Sequence, residues 1–286
     1  MIMYKQINEL PQEYIEHKIS VYLEEDRACN DYTTLFTVPD KMISVATIEA
    51  EDDLVYVGKS VVETIFKECQ VETYSQDGEL VKKGKVIAKI IGNSSYILAR
   101  ERVMLNLLQR LSGIATAARK YSEAVKPFGV KIFDTRKTTP GLRLFEKYAV
   151  KVGGAYNHRL NLETDILIKD NHISAAGGLR QAIENVLTYK KPEMAIELEV
   201  VSINQITEAL NLGVEGFLLD NMHPDEVRKC VELIRAAPNG NDIFIEASGG
   251  ITYDTLIEYA KTGVDGISVG ALTHHIVSAN IHLVFK

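Results

Sequence analysis

The spacing of hydrophobic and polar positions changes character near residue 130. Before it, Ile15, Ile19, Tyr22 and Leu23 fall on one face of residues 10–25, the spacing of an amphipathic helix. Short apolar runs at 43–49, 54–57, 71–74 and 85–91 read as strands. In QDGELVKKGKVIAKI, an Asp77-Gly78 turn and Gly84 lie between alternating apolar residues, which predicts a β-hairpin. Biotin- and lipoyl-carrier domains show the same pattern, but no lysine stands at a carrier-type tip, so a structural turn is expected. Residues 95–126 predict a long helical stretch, two helices broken near Gly113.

After residue 130 a repeat sets in. The apolar runs VKIFDTRK, DILIKDNH, MAIELEV, EGFLLDN, DIFIEASGG and DGISVG each end in polar or glycine-rich residues. Helical patterns at 179–187, 203–210, 224–234 and 253–260 fall between several of them. Strands alternating with helices predict parallel βα units, and continuously apolar strands belong in a covered sheet or a barrel. The number of units favours a barrel of the TIM type, with eight strands or fewer. Such barrels carry their functional groups at the C-terminal ends of strands, here Arg136, Lys169, Glu199, Asp220, Ser248 and Gly270.

Charge adds to this picture. The 286 residues carry a formal net charge of −7, yet residues 133–172 gather Arg136, Lys137, Arg143, Lys147, Lys151, His158, Arg159 and Lys169. A local cationic cluster on an acidic protein points to an anionic small molecule, and a sequence pI of about 5.6 argues against nucleic acid. No apolar run approaches the roughly 20 residues that span a bilayer, so no membrane partner is expected. No signal-peptide pattern opens the sequence. Cys29, Cys69 and Cys230 are odd in number and widely spaced, which fits buried structural thiols in a reducing cytoplasm.

Ser248-Gly249-Gly250 and Ser268-Val269-Gly270 each follow a strand and are expected to open a helical segment. Small residues there let backbone N–H groups approach a phosphate. Glu199 and Asp220 end consecutive strands, so both carboxylates point into one mouth, to hold Mg²⁺, accept sugar hydroxyls, stabilise a developing positive charge, or serve as internal ion-pair partners. Glu197 shares the parity of Glu199 and is expected inside the barrel as a paired carboxylate. His158-Arg159, beside Gly153-Gly154, reads as a ligand contact. No His, Cys or Asp cluster has transition-metal spacing, and Walker and Rossmann fingerprints are absent.

The segments DTRKTTPGLR, KYAVKVGG, NHRLNL, LIKDNH, LLDN, EASGGI and SVGALTH, with ERVMLNLLQRLSGIAT before them, closely resemble the quinolinate phosphoribosyltransferase family over residues 75–274. The resemblance implies an N-terminal α/β open sandwich over 1–110, with a tail at 275–286 packed back on it, and a seven-stranded, incomplete TIM-like α/β barrel over 111–274. It implies transfer of a phosphoribosyl group from phosphoribosyl pyrophosphate to quinolinate with loss of CO₂, giving nicotinate mononucleotide, with Mg²⁺, in NAD biosynthesis. By the same resemblance Arg102, Arg136, His158, Arg159 and Lys169 bind quinolinate. Thr135, Lys137, Glu199, Asp220, Ser248, Gly249, Gly250, Ser268 and Gly270 bind the phosphoribosyl donor. Lys137, Glu199 and Asp220 act in catalysis, and Mg²⁺ rides on the substrate pyrophosphate with Glu199 and Asp220 as candidate ligands. A homodimer or higher oligomer is implied, with Arg102 completing a neighbour's site.

The chain departs from the family pattern in several places. EDRACNDYTT and EAEDDLVYVG replace glycine-rich or AREDG-like segments, Ala155 and Tyr156 follow Gly154, and Asn161 stands where glycine is usual. Three alternatives follow: a transferase for another pyridine or azole acid, read from Ala155, Tyr156 and Asn161; a barrel aldolase with Lys169 as Schiff-base amine; and a non-catalytic sensor of the phosphoribosyl donor.

Overall fold

The alternation in ISVATIEA becomes strand β1 (Ile43–Ala50) of a computed structural model that describes residue 2 and residues 4–286. One of its two compact units comprises residues 7–119, 140–154 and 275–286. Here β1 pairs antiparallel with β5 (Val86–Asn93), and β5 with β3 (Gln70–Thr73). The short β2 (Leu54–Val55) pairs with β4 (Leu80–Val81). This pairing corrects the expected hairpin, because β4 does not fold back on β5. The Asp77-Gly78 turn is drawn elsewhere: Asp77 Oδ1 accepts from the N–H groups of Gly58 and Lys59 at 2.9 and 3.0 Å. These are orphan donors at the start of the helix Lys59–Ile65, so the turn serves as its cap.

The helix Ser94–Val125 runs without a break. Gly113 therefore does not divide it. A Cβ at Gly113 would strike the Val277 carbonyl and come within 3.1 Å of Ser278 Cα. The glycine marks where the C-terminal tail crosses the helix, a long-range contact that local spacing cannot signal.

The second unit holds Ile2, residues 4–6, 120–139 and 155–274. Its strands are β6 (Lys131–Phe133), β7 (Ile166–Ile168), β8 (Ile196–Val200), β9 (Gly216–Asp220), β10 (Phe244–Ser248) and β11 (Gly266–Ser268), in the order β6-β11-β10-β9-β8-β7. All pair in parallel. Tyr156 adds a seventh position beside β6: its N–H donates to Ile132 O at 2.8 Å and its carbonyl accepts from Asp134 N at 3.0 Å. The barrel is thus incomplete, as expected. The last strand of the chain, β12 (Ile281–Phe285), pairs antiparallel with β1 in the first unit. Residues 140–154, in the stretch the sequence reading gives to the barrel, belong to the sandwich unit because the helix Arg143–Val152 packs there. Glu146 on it pairs with Arg110 at 2.7 Å, and a Cβ on Gly153 would meet Ala118 Cβ at 2.6 Å.

Inward positions of the barrel follow the two-residue period, giving Gly216, Leu218 and Asp220 on β9 and Phe244, Glu246 and Ser248 on β10. The lowest layer is apolar, with Ile2, Tyr4, Phe133 and Phe244 packed together. A Cβ on Gly266 would sit 2.7 Å from Phe133 Cε2, so that strand position is glycine to admit two phenylalanine rings. The outer helix Pro224–Arg235 shows how a crossover is specified. Pro224 opens it, Glu226 Oε2 accepts from His223 N at 3.2 Å, and Val227, Cys230, Val231 and Ile234 are buried along one face. The helix expected at 253–260 starts only at Leu256, after a turn in which Thr255 Oγ1 accepts from Thr252 N at 3.1 Å.

Among the described residues, no helix is long and apolar enough to cross a membrane. The three cysteines are unpaired, and only Cys230 is buried. Cys29 is exposed, correcting the expectation of three buried thiols; it lies in a one-turn 3-10 helix that presents no buried face.

Candidate active site

A cavity of about 450 Å³ opens at the C-terminal ends of the barrel strands. The sequence-predicted residues that line it are Thr135, Arg136 and Lys137 after β6; His158 and Arg159 after the Tyr156 bridge; Lys169 after β7; Glu199 on β8; Asp220 on β9; Ser248, Gly249 and Gly250 at β10; and Ser268 on β11. Gly270 lies beside it, where a Cβ would press on the Lys137 side chain at 3.2 Å. Arg102 is exposed on the helix Ser94–Val125 in the sandwich unit and is not among the lining residues. Arg143, Lys147 and Lys151, part of the cationic run, lie on the sandwich helix Arg143–Val152 instead.

The cations in the cavity are held under tension. Arg159 is 7 % exposed, and burial, then the neighbouring Arg136 cation, holds its guanidinium below the ordinary range. Arg136 Nε is buried without a hydrogen-bond partner among the described residues. Two neighbouring guanidiniums, one with an orphan donor, form a site that awaits an anion. Lys169 Nζ donates to a Glu199 carboxylate oxygen, a partner that a Schiff-base amine does not call for.

His158 is fixed from several sides. Its N–H donates to Asp134 Oδ1 at 2.9 Å, while Asp134 Oδ2 accepts from Asn157 Nδ2 at 2.7 Å. The ring stacks on Tyr4 with centroids 4.1 Å apart, and Nε2 faces Glu197 Oε2 at 3.2 Å. Glu197, 1 % exposed, also accepts from Tyr4 Oη and so fills the interior as expected. His158, Glu197 and Glu246 bring ligand-type atoms within 4.8 Å of one another, a cluster invisible in sequence spacing because separate segments supply it. Tyr4 donates to Glu197, and Ser268 donates to Glu246 when that glutamate is ionised.

In the loop after β10, Gly249 and Gly250 have φ of 91° and 61°, in the left-handed region that favours glycine. The helices that follow are short and start at Leu256 and Ala271. Sequence reasoning missed three lining residues: Leu167, Leu218 and Asn221. The leucines precede Lys169 and Asp220 by two positions, so strand parity carried the signal. Asn221 has φ 56°, donates its N–H to Ser248 O at 2.9 Å and its Nδ2 to Asp220 Oδ2 at 2.6 Å. It ties one strand-end carboxylate to the next strand's glycine loop.

Ala155, Tyr156 and Asn161 do not line the cavity. Tyr156 packs on Phe133 with ring centroids 5.8 Å apart, and Asn161 Oδ1 closes a turn by accepting from Glu163 N at 3.0 Å.

Comparison with known proteins agrees with this geometry. The profile "Quinolinate phosphoribosyl transferase, N-terminal domain" matches residues 31–112, and the corresponding C-terminal domain profile matches residues 114–284. A probable nicotinate-nucleotide pyrophosphorylase [carboxylating] of Bacillus subtilis is 41% identical, over 83% of this chain and 82% of its own length. A mitochondrial quinolinate phosphoribosyltransferase [decarboxylating] of Nicotiana tabacum is 38% identical, over 94% and 81%. The solved nicotinate-nucleotide pyrophosphorylase of Francisella tularensis superposes with a TM-score of 0.92 at 31% identity, over 99% of this chain and 100% of that one.

Proposed function

The chain belongs to the quinolinate phosphoribosyltransferase family, and from that premise we propose how its cavity divides the two substrates. The enzyme is a pentosyltransferase of NAD biosynthesis that joins quinolinate to the ribose of phosphoribosyl pyrophosphate, releasing pyrophosphate and CO₂. Quinolinate lies against Arg136, Arg159, Lys169 and His158. Its adjacent carboxylates repel each other in water, so two guanidiniums and an ammonium at close range recognise it well. Leu167 and Leu218 supply apolar surface for the flat ring. The observation that carries this assignment is the orphan Arg136 Nε beside the buried Arg159.

The donor's 5′-phosphate rests on the loops at Ser248–Gly250 and Ser268–Gly270. Glu199 and Asp220 accept from the ribose hydroxyls, and Lys137, with Thr135 in the same loop, reaches the pyrophosphate. Negative charge at Glu199 and Asp220 favours the positive anomeric carbon of the transition state. The pyridine nitrogen bonds to that carbon as its bond to pyrophosphate breaks. In the pyridinium so formed, the bond to the carboxylate next to nitrogen breaks. Its electron pair stays on the ring carbon, stabilised by the adjacent positive nitrogen, and that carbon takes up a proton. Asp220 and Glu199 are hard oxygen donors of the type Mg²⁺ prefers and would hold it together with the pyrophosphate. When bound, the ion neutralises charge on the leaving group.

We further assign the chain to a homodimer or larger homo-oligomer in which Arg102 reaches a neighbour's cavity. Supporting this are Arg102's exposed position on the sandwich unit and the apolar residues Tyr32, Leu35 and Phe36 of the helix Tyr32–Thr37, which are 65%, 60% and 82% exposed. A cytoplasmic location accords with three unpaired thiols.

The test is steady-state kinetics with quinolinate, phosphoribosyl pyrophosphate and Mg²⁺. Arg136→Lys should raise the quinolinate KM about tenfold, because a point charge cannot replace a planar fork, and leave the donor's KM near its original value. An unchanged quinolinate KM would remove Arg136 from the pocket.

A further inference from the structure

Beneath the cavity-lining Ser248 lies a glutamate that this chemistry leaves unused. Glu246 on β10 is fully buried, one pleat below Ser248. Its Oε1 is hydrogen-bonded to Ser268 Oγ on β11, and its Oε2 has no partner among the described residues. Glu197 faces it from β8, accepting from Tyr4 Oη of the N-terminal segment. His158 Nε2 lies 3.8 Å from Glu246 Oε1. His158 Nδ1 accepts from Arg159 N at 2.8 Å, and the His158 ring beside Glu246 favours the carboxylate form of that glutamate. Asp134, after β6, adds a further acidic group, committed to the Asn157 side chain and the His158 N–H. Facing Glu246 are thus Glu197, Asp134 and Tyr4, with His158 and the Ser268 hydroxyl as the two groups that favour its charge, and burial with the Glu197 carboxylate outweighs them. A buried carboxylate in that company, with one oxygen orphaned, is costly, whereas a carboxylic acid is not.

We propose that Glu246 is a positioning residue of the phosphate cradle: as a neutral acid it donates to Ser268 Oγ, which turns the Ser268 hydroxyl proton toward the 5′-phosphate. The inference rests on the reading of Ser268 as a phosphate contact. Loss of the proton reverses the hydrogen bond. Ser268 then donates inward to the carboxylate and presents only lone pairs to the phosphate, with a buried negative charge behind it. Burial, followed by the Glu197 charge, pushes Glu246 up to about 8, so the reversal falls just above neutral pH.

The experiment measures the KM for phosphoribosyl pyrophosphate against pH in the wild type, Glu246→Gln and Ser268→Ala, each confirmed folded by circular dichroism. Wild-type KM should rise about tenfold between about pH 7 and pH 9, the effect of losing one hydrogen bond to a charged group. Glutamine donates through Nε2 at every pH, so Glu246→Gln should flatten that ratio to about one. Ser268→Ala should raise KM at both pH values and be equally flat. A wild-type rise that persists in Glu246→Gln, or in Ser268→Ala if the glutamine variant does not fold, overturns the proposal while leaving Ser268 in the cradle. A Ser268→Ala variant whose KM at about pH 7 matches wild type removes Ser268 from the cradle, and the proposal with it.

Discussion

Lys169 and Glu199 form an ion pair across the mouth of the barrel, joining the end of β7 to β8. Each is also assigned to a substrate, the lysine to a quinolinate carboxylate and the glutamate to a ribose hydroxyl. In the free chain they satisfy each other, so this pair is neutral before either ligand arrives, while Arg136, Lys137 and Arg159 still outnumber Asp220 in the cavity. Lys169→Ala should raise the quinolinate KM by about a hundredfold, the loss of a charge-assisted contact worth roughly 2–3 kcal/mol. Glu199→Gln should instead lower kcat, because its charge matters most when the anomeric carbon turns positive. Equal effects of both substitutions on KM alone would contradict this division of roles.

The glycine loop after β10 leaves no room for a side chain at Gly249. A Cβ on Gly249 would meet the Asn221 carboxamide and stand 2.7 Å from Asn221 N, at a φ of 91°. Gly249→Ala should destabilise the fold by about 2–4 kcal/mol from backbone strain plus overpacking. It should also raise the donor's KM, since Asn221 orients Asp220. Gly250 faces open space, so Gly250→Ala should pay only for its φ of 61°. Urea denaturation of the two variants checks the order, and a less stable Gly250→Ala would refute it.

Stability should fall with rising pH through Glu246. Its folded pKa, about 8, lies above the ordinary 4.5, so the folded state holds an extra proton between those values. The contribution is complete below about 4.5 and lost as pH climbs to about 8. Relative to Glu246→Gln, the wild type should lose at most about 1.4 kcal/mol per pH unit across that window. Denaturation curves that stay parallel for the two proteins would show that Glu246 titrates normally.

Shared sites make a separate prediction. If Arg102 acts in a neighbour's cavity, chains carrying Arg102→Ala and chains carrying Lys169→Ala are each nearly inactive but complement one another. Random mixing into dimers should restore about a quarter of wild-type activity, because half the dimers are hybrid and each hybrid has one intact site. Activity that stays at the level of the separate variants would assign Arg102 to another role.

Much of the barrel was legible because strand parity and βα alternation are local. Arg136, Lys169, Glu199, Asp220 and Ser248 were readable as cavity groups on that pattern alone, and Gly270, read with them, lies beside the cavity. Leu167 and Leu218 obeyed the same parity but carry no polar atom to draw attention. Asn221 works through a positive φ and a tie to the neighbouring loop, neither of which a sequence displays. Tyr4 reaches Glu197 across almost the whole barrel sequence, so no window of residues could pair them. The failed hairpin has the same origin: Asp77-Gly78 has turn chemistry, but Asp77 is engaged by a helix some twenty positions earlier.

The pairing of β12 with β1 orders events during synthesis. Strand β1 emerges from the ribosome before every barrel strand, yet its outer partner, Ile281–Phe285, emerges after all of them. Until then β1 has one bare edge, open to pairing with another chain. The barrel strands emerge entirely within that interval, so the unit that holds the chemistry can close before the sandwich sheet is complete. A premature stop near residue 275 would spare every cavity residue and still yield a protein prone to aggregate.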